Sequence, residues 1–225
     1  MKYNYSMATE LEGLAKRAQR QGWAVGSGTI DQVQSEAQSL GWIEVPIRRG
    51  DPTVVTLRSL GQAAARPKSM SAQYGLEEQP LHTDGAHLLR PPDVVVLSNT
   101  DENSTHTRLW RPSYSAKRLN SRIPSIAQDG IFLVHSGKDS FFCTAEARGR
   151  LRYDPACMTP CDARARRIAT FFQKISEGIT EHAWSQPNML LVINNRRTLH
   201  GRASAINDPD RELQRISFYI EGEQS

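Results

Sequence analysis

The spacing of hydrophobic and polar positions changes once along the chain, near residue 41. Before that point apolar residues recur at helical intervals, which predicts one helix from Met7 over residues 7–18 and a second over residues 31–40. Gly41 is typical of a residue that ends a helix. After it, short apolar runs between Gly, Pro and Asn replace the helical spacing, and such runs predict strands.

The later part of the chain is therefore predicted to be mostly β. The predicted strands cover residues 43–47, 54–57, 94–97, 131–134, 141–144, 189–193 and 214–220. The fourth and fifth are separated by a Ser-Gly-Lys-Asp turn, which predicts a hairpin. Residues 61–80 are predicted to form a loop, and residues 162–179 the clearest amphipathic helix, with Asp162 as its N-cap. These elements predict an α+β, mainly β fold with a dominant antiparallel sheet or barrel.

Size and composition favour one globular unit. The chain has 225 residues, of which 38% are hydrophobic and 23% charged, so residues 1–225 are predicted to form a single domain. A net charge of +4 permits an anionic partner, but the basic residues are scattered in small groups, which does not favour nucleic acid. No apolar run is long enough to span a bilayer, and no signal peptide is evident. We expect no membrane association, and the pattern leaves the oligomeric state open.

Three cysteines bear on the cellular compartment. Cys143, Cys157 and Cys161 are too few for a disulfide framework, and no second pair of thiols accompanies the last two as a metal site would need. Free thiols and a cytoplasmic location are the predicted outcome.

The sharpest local pattern is Leu-His-Thr-Asp-Gly, with His82 and Asp84 two residues apart. In an extended segment these two side chains project from the same face and can reach one metal ion. A third ligand must come from elsewhere in the fold. Two histidines and one carboxylate on one face of an octahedron are the ligand set of non-haem iron(II) oxygenases. Alone, the pair is equally compatible with a surface turn.

Two further segments make the pattern specific. Residues 71–99 and 190–220 together resemble the taurine dioxygenase and clavaminate synthase group of 2-oxoglutarate-dependent oxygenases, and the LRYDPACMTP segment at residues 151–160 is similar to a stretch of the same group. The shared order is His-x-Asp, a long intervening segment, then a histidine followed by an arginine. The resemblance implies His200 as the third ligand and a double-stranded β-helix, or jelly roll, with flanking helices.

The resemblance also implies the cosubstrate and its anchor. Members use Fe(II), O2 and 2-oxoglutarate, whose distal carboxylate is held by an arginine; Arg211 lies eleven residues after His200, at the matching position. A guanidinium suits this task because it offers two parallel donors. Arg215 is the competing anchor, and otherwise is assigned to substrate. A threonine hydroxyl is expected to assist: Thr107 is our choice, and Thr105 is the alternative.

The implied reaction oxidatively decarboxylates 2-oxoglutarate to succinate and CO2 and hydroxylates an unactivated C–H bond. Asp84 occupies the position that halogenating relatives leave small, so halogenation is disfavoured; desaturation, cyclisation and epimerisation stay open. The arginines near the third ligand favour a small anionic or zwitterionic substrate, such as an amino-acid derivative, sulfonate or phosphonate. The competing hypotheses are a non-catalytic, cupin-like metal-binding protein and a basic nucleic-acid-binding protein. The remaining histidines are predicted to be structural, although His87 and His106 could line the pocket.

Overall fold

The computed structural model describes residues 9–67, 69–112 and 123–220. Its helices are α1 (Glu10–Gln21), α2 (Ile30–Ser39), α3 (Met70–Tyr74) and α4 (Ala163–Gln173), with 3-10 turns at Gln62–Ala64 and Ser125–Gln128. Its strands are β1 (Trp23–Ser27), β2 (Ile43–Glu44), β3 (Val55–Arg58), β4 (Val94–Ser98), β5 (Asn103–Trp110), β6 (Phe132–Ser136), β7 (Asp139–Cys143), β8 (Glu146–Ala147), β9 (Arg150–Leu151), β10 (Met158–Pro160), β11 (Thr180–Trp184), β12 (Met189–Asn194), β13 (Leu199–Arg202) and β14 (Glu212–Tyr219). The mainly β class is confirmed. Among the described residues, no helix is long and apolar enough to cross a membrane.

The helices begin where their capping residues dictate. The Thr9 hydroxyl accepts a hydrogen bond from the third residue of α1, and Thr29 forms a capping box with Gln32 at α2. Both predicted helices are confirmed within a few residues, although the predicted start at Met7 lies outside the described residues. Asp162 caps α4 as predicted.

The predicted helix over residues 162–179 is too long, because α4 ends at Gln173. Ile175 and Ile179 lie beyond it but still pack against the same apolar cluster as the helix. Their apolar character therefore reflects burial in this cluster and not a continuation of the helix.

The main sheet is antiparallel throughout and carries α1 and α2 on one face. Its strand order is β1-β12-β4-β14-β2, and β3 also pairs with β14. β4 is buried along its whole length and β12 almost so, as their continuous apolar runs predict. Apolar residues of α1 and α2 pack on one face, against side chains such as Val96 and Val192.

The other face of the main sheet packs against a second antiparallel sheet of order β11-β5-β13. Leu109 of β5 and Trp184 of β11 join Val95, Leu97 and Leu191 of the main sheet in one apolar cluster. None of the three strands in this second sheet is predicted from the hydrophobic pattern. The physical reason is that part of their inward face is polar.

A third sheet of order β10-β6-β7 packs with α4 around Tyr153, Phe172 and Trp110. The predicted hairpin is confirmed, since Ser136 and Asp139 are the last paired residues of β6 and β7. Its cluster also contains Leu81 and Leu199, the residues next to the two predicted histidine ligands. The ligand-bearing segments are therefore anchored by apolar neighbours.

Candidate metal centre and anion pocket

The fold brings His82, Asp84 and His200 into one buried group. Each backbone N–H of the two histidines donates to the other's carbonyl, at 2.8 and 2.9 Å, so the segment before Asp84 lies along β13. The Nε2 atoms of His82 and His200 lie 3.6 and 3.7 Å from Asp84 Oδ1. The three potential ligand atoms are all within 4.8 Å of one another. The sequence-predicted triad is thus assembled across more than a hundred residues of chain.

Neighbouring backbone groups orient the His82 side. The ring Nδ1 of His82 lies 3.0 Å from the carbonyl oxygen of Pro80, which leaves Nε2 to face Asp84. Thr83, between the two ligands, points the other way: its N–H donates to Tyr153 O at 2.8 Å, and its hydroxyl accepts from Tyr153 N–H at 3.1 Å. This clamp keeps the segment extended, so His82 and Asp84 share a face.

Asn195 orients the carboxylate ligand through the main chain. Its Oδ1 accepts from Asp84 N–H at 2.9 Å, and its Nδ2 donates to the carbonyls of Asp84 and Pro92, both at 2.9 Å. Asn195 is almost completely buried. It lies five residues before His200, so the turn that carries Asn195, which positions Asp84, also leads into the ligand His200.

Arg215, on β14, supplies the charge that balances Asp84. Its Nη1 lies 3.3 and 3.1 Å from the two carboxylate oxygens. Burial alone would raise the pKa of Asp84, but the Arg215 charge and hydrogen bonds with His200 and His82 outweigh it and hold that pKa well below its ordinary value. Asp84 is therefore an ionised acceptor at neutral pH.

The two histidines differ in their surroundings. Burial lowers the pKa of His200 despite the neighbouring Asp84. Burial acts the same way on His82, but there a hydrogen bond with Asp84 and the charge of Asp154 outweigh it and raise the pKa. His200 Nδ1 is buried and has no hydrogen-bond partner among the described residues.

The donor set suits a divalent transition metal. Two imidazole nitrogens and one carboxylate oxygen, facing each other, form the facial arrangement that leaves further positions free on a metal ion. Ligand bonds of about 2.1 Å at right angles put donor atoms about 3 Å apart, close to the separations seen from Asp84 Oδ1. The residues present therefore fit an iron(II) ion.

A second buried feature lies beside the triad. Arg211 is 6% exposed, and its Nη2 lies 3.4 Å from Thr107 Oγ1 while its Nε lies 3.4 Å from Thr105 O. Burial lowers the pKa of Arg211 to about 10, with nearby Arg202 acting in the same direction and Asp208 opposing. The guanidinium is still charged at neutral pH.

The Arg211 guanidinium lies among polar groups that lack partners. Among the described residues no carboxylate forms an ion pair with Arg211, although Asp208 is near enough to influence it. In the same layer Thr105 Oγ1, His182 Nε2 and Arg202 Nε are buried without hydrogen-bond partners in the described part of the chain. Buried polar groups are normally satisfied, so this cluster is the kind that a bound polar ligand completes.

Strand register fixes the spacing between the two features. In the β13–β5 pair, His200 lies opposite Leu109 and Arg202 opposite Thr107. Thr107 is therefore two residues from the position facing His200, on the same face of the sheet, or about 6–7 Å along the strand. Thr107, which contacts Arg211, and His200 therefore lie on the same face of the second sheet, two positions apart along it.

The other candidates are placed as follows. His87 Nε2 lies 2.8 Å from Ile47 O, and His106 is on the outer face of β5, beside Glu181. Arg202 donates to the carbonyls of Gly75 and Glu77, at 2.6 and 2.8 Å, and so braces the segment before the first ligand. The cysteines are confirmed as free thiols.

Two cavities lie away from the triad. One of about 560 Å³ adjoins the end of α4 and is lined by residues including Arg167 and Phe171; the other, of about 290 Å³, lies between α1 and α2. Neither is lined by a triad residue. The triad residues are themselves buried, and their ligand atoms converge on one point.

This fold is that of the Fe(II)/2-oxoglutarate-dependent oxygenases. Asparagine oxygenase in complex with Fe(II), 2S,3S-3-hydroxyasparagine and succinate is similar over 94% of this chain and 78% of its own, with a TM-score of 0.62 and 17% identity. The non-haem iron oxygenase OrfP in complex with Fe and alpha-ketoglutaric acid is similar over 92% of this chain and 77% of its own, with a TM-score of 0.65 and 17% identity. PvcB from Pseudomonas aeruginosa is similar over 92% of this chain and 79% of its own, with a TM-score of 0.62 and 14% identity.

No family model and no curated protein matches the sequence. The structural neighbours nevertheless confirm, at the level of the fold, the predicted resemblance to the taurine dioxygenase and clavaminate synthase group.

Proposed function

We propose that residues 1–225 form one double-stranded β-helix domain of the taurine dioxygenase and clavaminate synthase group, acting as an Fe(II)- and 2-oxoglutarate-dependent dioxygenase. The observation that carries the proposal is the pairing of a buried His-Asp-His triad with the buried Arg211 guanidinium, which has no carboxylate partner among the described residues. A metal-binding protein that used no keto acid would have no need of a buried cation at this spacing. The free thiols suit a reducing compartment such as the cytoplasm.

In this proposal His82, Asp84 and His200 hold the iron. Arg215 keeps Asp84 ionised, and Asn195 fixes the backbone from which its carboxylate projects. When bound, the iron couples oxidative decarboxylation of 2-oxoglutarate by O2 to oxidation of a substrate C–H bond. The chain's own contribution is to position the reactants in a buried, rigid site.

Arg211 and Thr107 hold the distal carboxylate of 2-oxoglutarate. Two parallel guanidinium donors match a carboxylate, and a buried ion pair is stronger than an exposed one when both partners are fully hydrogen-bonded. Thr107, rather than Thr105, is the closer of the two hydroxyls to Arg211 on the basis of its direct contact. The assignment of Arg215 to substrate stays a prediction, since its Nη1 lies against Asp84.

For the substrate we propose a zwitterionic, amino-acid-like molecule that is hydroxylated. Asparagine oxygenase and OrfP are described with hydroxylated asparagine and arginine bound. In this chain Asp154 is half-buried near His82 and Tyr74 and forms no ion pair with a described cation. A carboxylate and a phenol beside the metal centre would recognise a cationic group such as an ammonium.

The test is an anaerobic titration of apo-protein with Fe(II) and then 2-oxoglutarate, following the visible charge-transfer absorption of an iron-chelated keto acid. We expect the band in the wild type, its loss in His200→Ala, and a higher 2-oxoglutarate requirement in Arg211→Gln. Oxygenated samples containing single amino acids are then assayed for succinate and for a product heavier by one oxygen atom. Folded protein that binds neither iron nor keto acid would refute the proposal.

A further inference from the structure

The hydroxyl of Thr107 is held between two groups that can only donate. Trp184 Nε1–H lies 3.1 Å from Thr107 Oγ1, and Arg211 Nη2–H lies 3.4 Å from the same atom. A threonine hydroxyl has two acceptor positions and one proton, whereas indole and guanidinium nitrogens accept nothing. With both acceptor positions occupied, the proton of Thr107 has to be donated to a third group.

We propose that Trp184 is a positioning residue that aims the Thr107 hydroxyl proton at the distal carboxylate of the keto acid, and so makes the pocket select dicarboxylate over monocarboxylate keto acids. The inference rests on the proposed function and names the device behind its cosubstrate specificity. Hydrogen bonds to a carboxylate are strong and directional, so a hydroxyl prevented from rotating contributes more than a free one.

The surroundings of Trp184 hold its indole in one orientation. Trp184 is fully buried, and its ring packs edge-on against the His182 ring with centroids 4.5 Å apart. His182 in turn lies directly opposite Thr107 in the β11–β5 pairing, and the register shifts between His182 and Trp184. Although Trp184 pairs with Asn103, its long side chain reaches back along β5, and its Nε1 contacts the Thr107 hydroxyl.

The chain offers a matched control for the loss of an indole. Trp110 is also fully buried, but its Nε1 has no hydrogen-bond partner among the described residues. Tryptophan to phenylalanine at either position removes the same atoms from the core. Only at Trp184 does the change remove a bond to Thr107.

The experiment measures the binding of two keto acids to Fe(II)-loaded protein without oxygen, by the charge-transfer band and by calorimetry. 2-Oxoglutarate has the distal carboxylate, and 2-oxobutanoate lacks it while chelating iron in the same way. We expect Trp184→Phe to weaken the binding of 2-oxoglutarate by about fivefold to twentyfold and to change the binding of 2-oxobutanoate by less than about twofold. Trp110→Phe should leave the affinities for both keto acids unchanged. In a Thr107→Val background, Trp184→Phe should have no further effect, because its target is gone.

Three results would overturn the inference. If Trp184→Phe weakens the binding of both keto acids equally, the indole only supports the fold. If it weakens the binding of neither, Thr107 is oriented without the indole. If Trp184→Phe does not fold, Thr107→Val has to show the same loss confined to 2-oxoglutarate, and a loss shared by both acids overturns the idea. Wild-type protein that binds neither acid contradicts the proposed function itself, which is a separate result.

Discussion

Asn195 bonds both backbone polar atoms of Asp84, accepting from its N–H and donating to its carbonyl, each at 2.9 Å. A side-chain amide in this position takes the place of a strand partner for Asp84, because the bridge between this segment and β13 lies at His82. The carboxylate ligand is thus fixed by a residue that belongs to the turn leading into the second histidine ligand. Loss of a residue that orients a metal ligand typically weakens metal binding by about tenfold to a hundredfold.

Asn195→Leu should therefore weaken Fe(II) binding by about tenfold to a hundredfold and lower the free energy of unfolding by about 3 kcal/mol, since buried backbone groups lose their partners. Asn99 is a matched control: it accepts from Met189 N–H at 2.9 Å and donates to the carbonyls of Asp101 and Gln186, at 2.8 and 2.7 Å. Asn99→Leu should cost similar stability without changing iron affinity. Equal iron affinities in both variants would contradict the prediction.

Arg215→Met should destabilise the metal-free protein at neutral pH, because it leaves the buried Asp84 carboxylate without its guanidinium. Removing one partner of a buried pair costs about 3 kcal/mol or more. Saturating Fe(II) should restore part of that loss, since the metal then balances the carboxylate. Denaturant unfolding of both proteins, with and without metal, measures the effect.

Arg58→Met is the control for Arg215→Met. Arg58 pairs with Glu212 at 2.8 Å on the same sheet, but both side chains are exposed. Its loss should cost under about 1 kcal/mol, with or without metal. A metal-independent cost at Arg215 would place its role in the sheet rather than at Asp84.

Much of the fold follows from the hydrophobic pattern, and the exceptions share a cause. β4 and β12 are buried on both faces and are predicted from apolar runs alone. β5 is not, because its inward positions include Thr105 and Thr107, which are buried polar residues facing the anion pocket. Strands that line a site carry the polar residues that the site needs, and so lose the alternation by which strands are recognised.

The site shows the same division. The His-x-Asp spacing points to a metal, and the order of motifs points to His200 and Arg211. Asn195 and Trp184 could not be predicted, because their roles depend on contacts with chain more than seventy residues away. For Asn195 the available signal is its place just before His200. For Trp184 the sequence carries none, since its contact with Thr107 exists only once β11 and β5 are paired.

His182 should make the protein less stable as pH falls. Burial, with His106 adding to it, lowers the pKa of His182 to about 4 from 6.5, so the folded state resists a proton that the unfolded state accepts. The contribution of His182 to stability should be constant above pH 6.5, decline between 6.5 and about 4, and be lower by up to about 3 kcal/mol below that range. His182→Gln should flatten this part of the profile, measured by urea unfolding between pH 7 and pH 4.5.

The control for that profile is His135→Gln, which removes an exposed histidine whose Nε2 lies 3.2 Å from Thr159 Oγ1. It should keep the wild-type pH dependence. A His182→Gln profile as steep as the wild type would show that other groups cause the decline.

At Gly201, β13 lies against the backbone of the segment that carries His82. A Cβ at this position would lie 2.8 Å from Gln79 O and 2.9 Å from Pro80 O, both of them backbone atoms that cannot turn aside. Because Pro80 O is also the partner of His82 Nδ1, moving it rotates the imidazole away from Asp84. Gly201→Ala should cost about 1–3 kcal/mol of stability and weaken Fe(II) binding by about tenfold or more.

The comparison for Gly201 is Gly61→Ala, where an added Cβ meets nothing within 4 Å and the backbone φ is −60°. It should leave both stability and iron affinity near the wild-type values. Thermal unfolding and anaerobic iron titration of the two variants distinguish the possibilities. If Gly201→Ala loses stability but binds iron normally, the contact at Pro80 only sets the distance between the two segments. If iron affinity falls as expected, the approach of the two segments sets the ligand geometry. His82 is then positioned by β13 as well as by its own backbone.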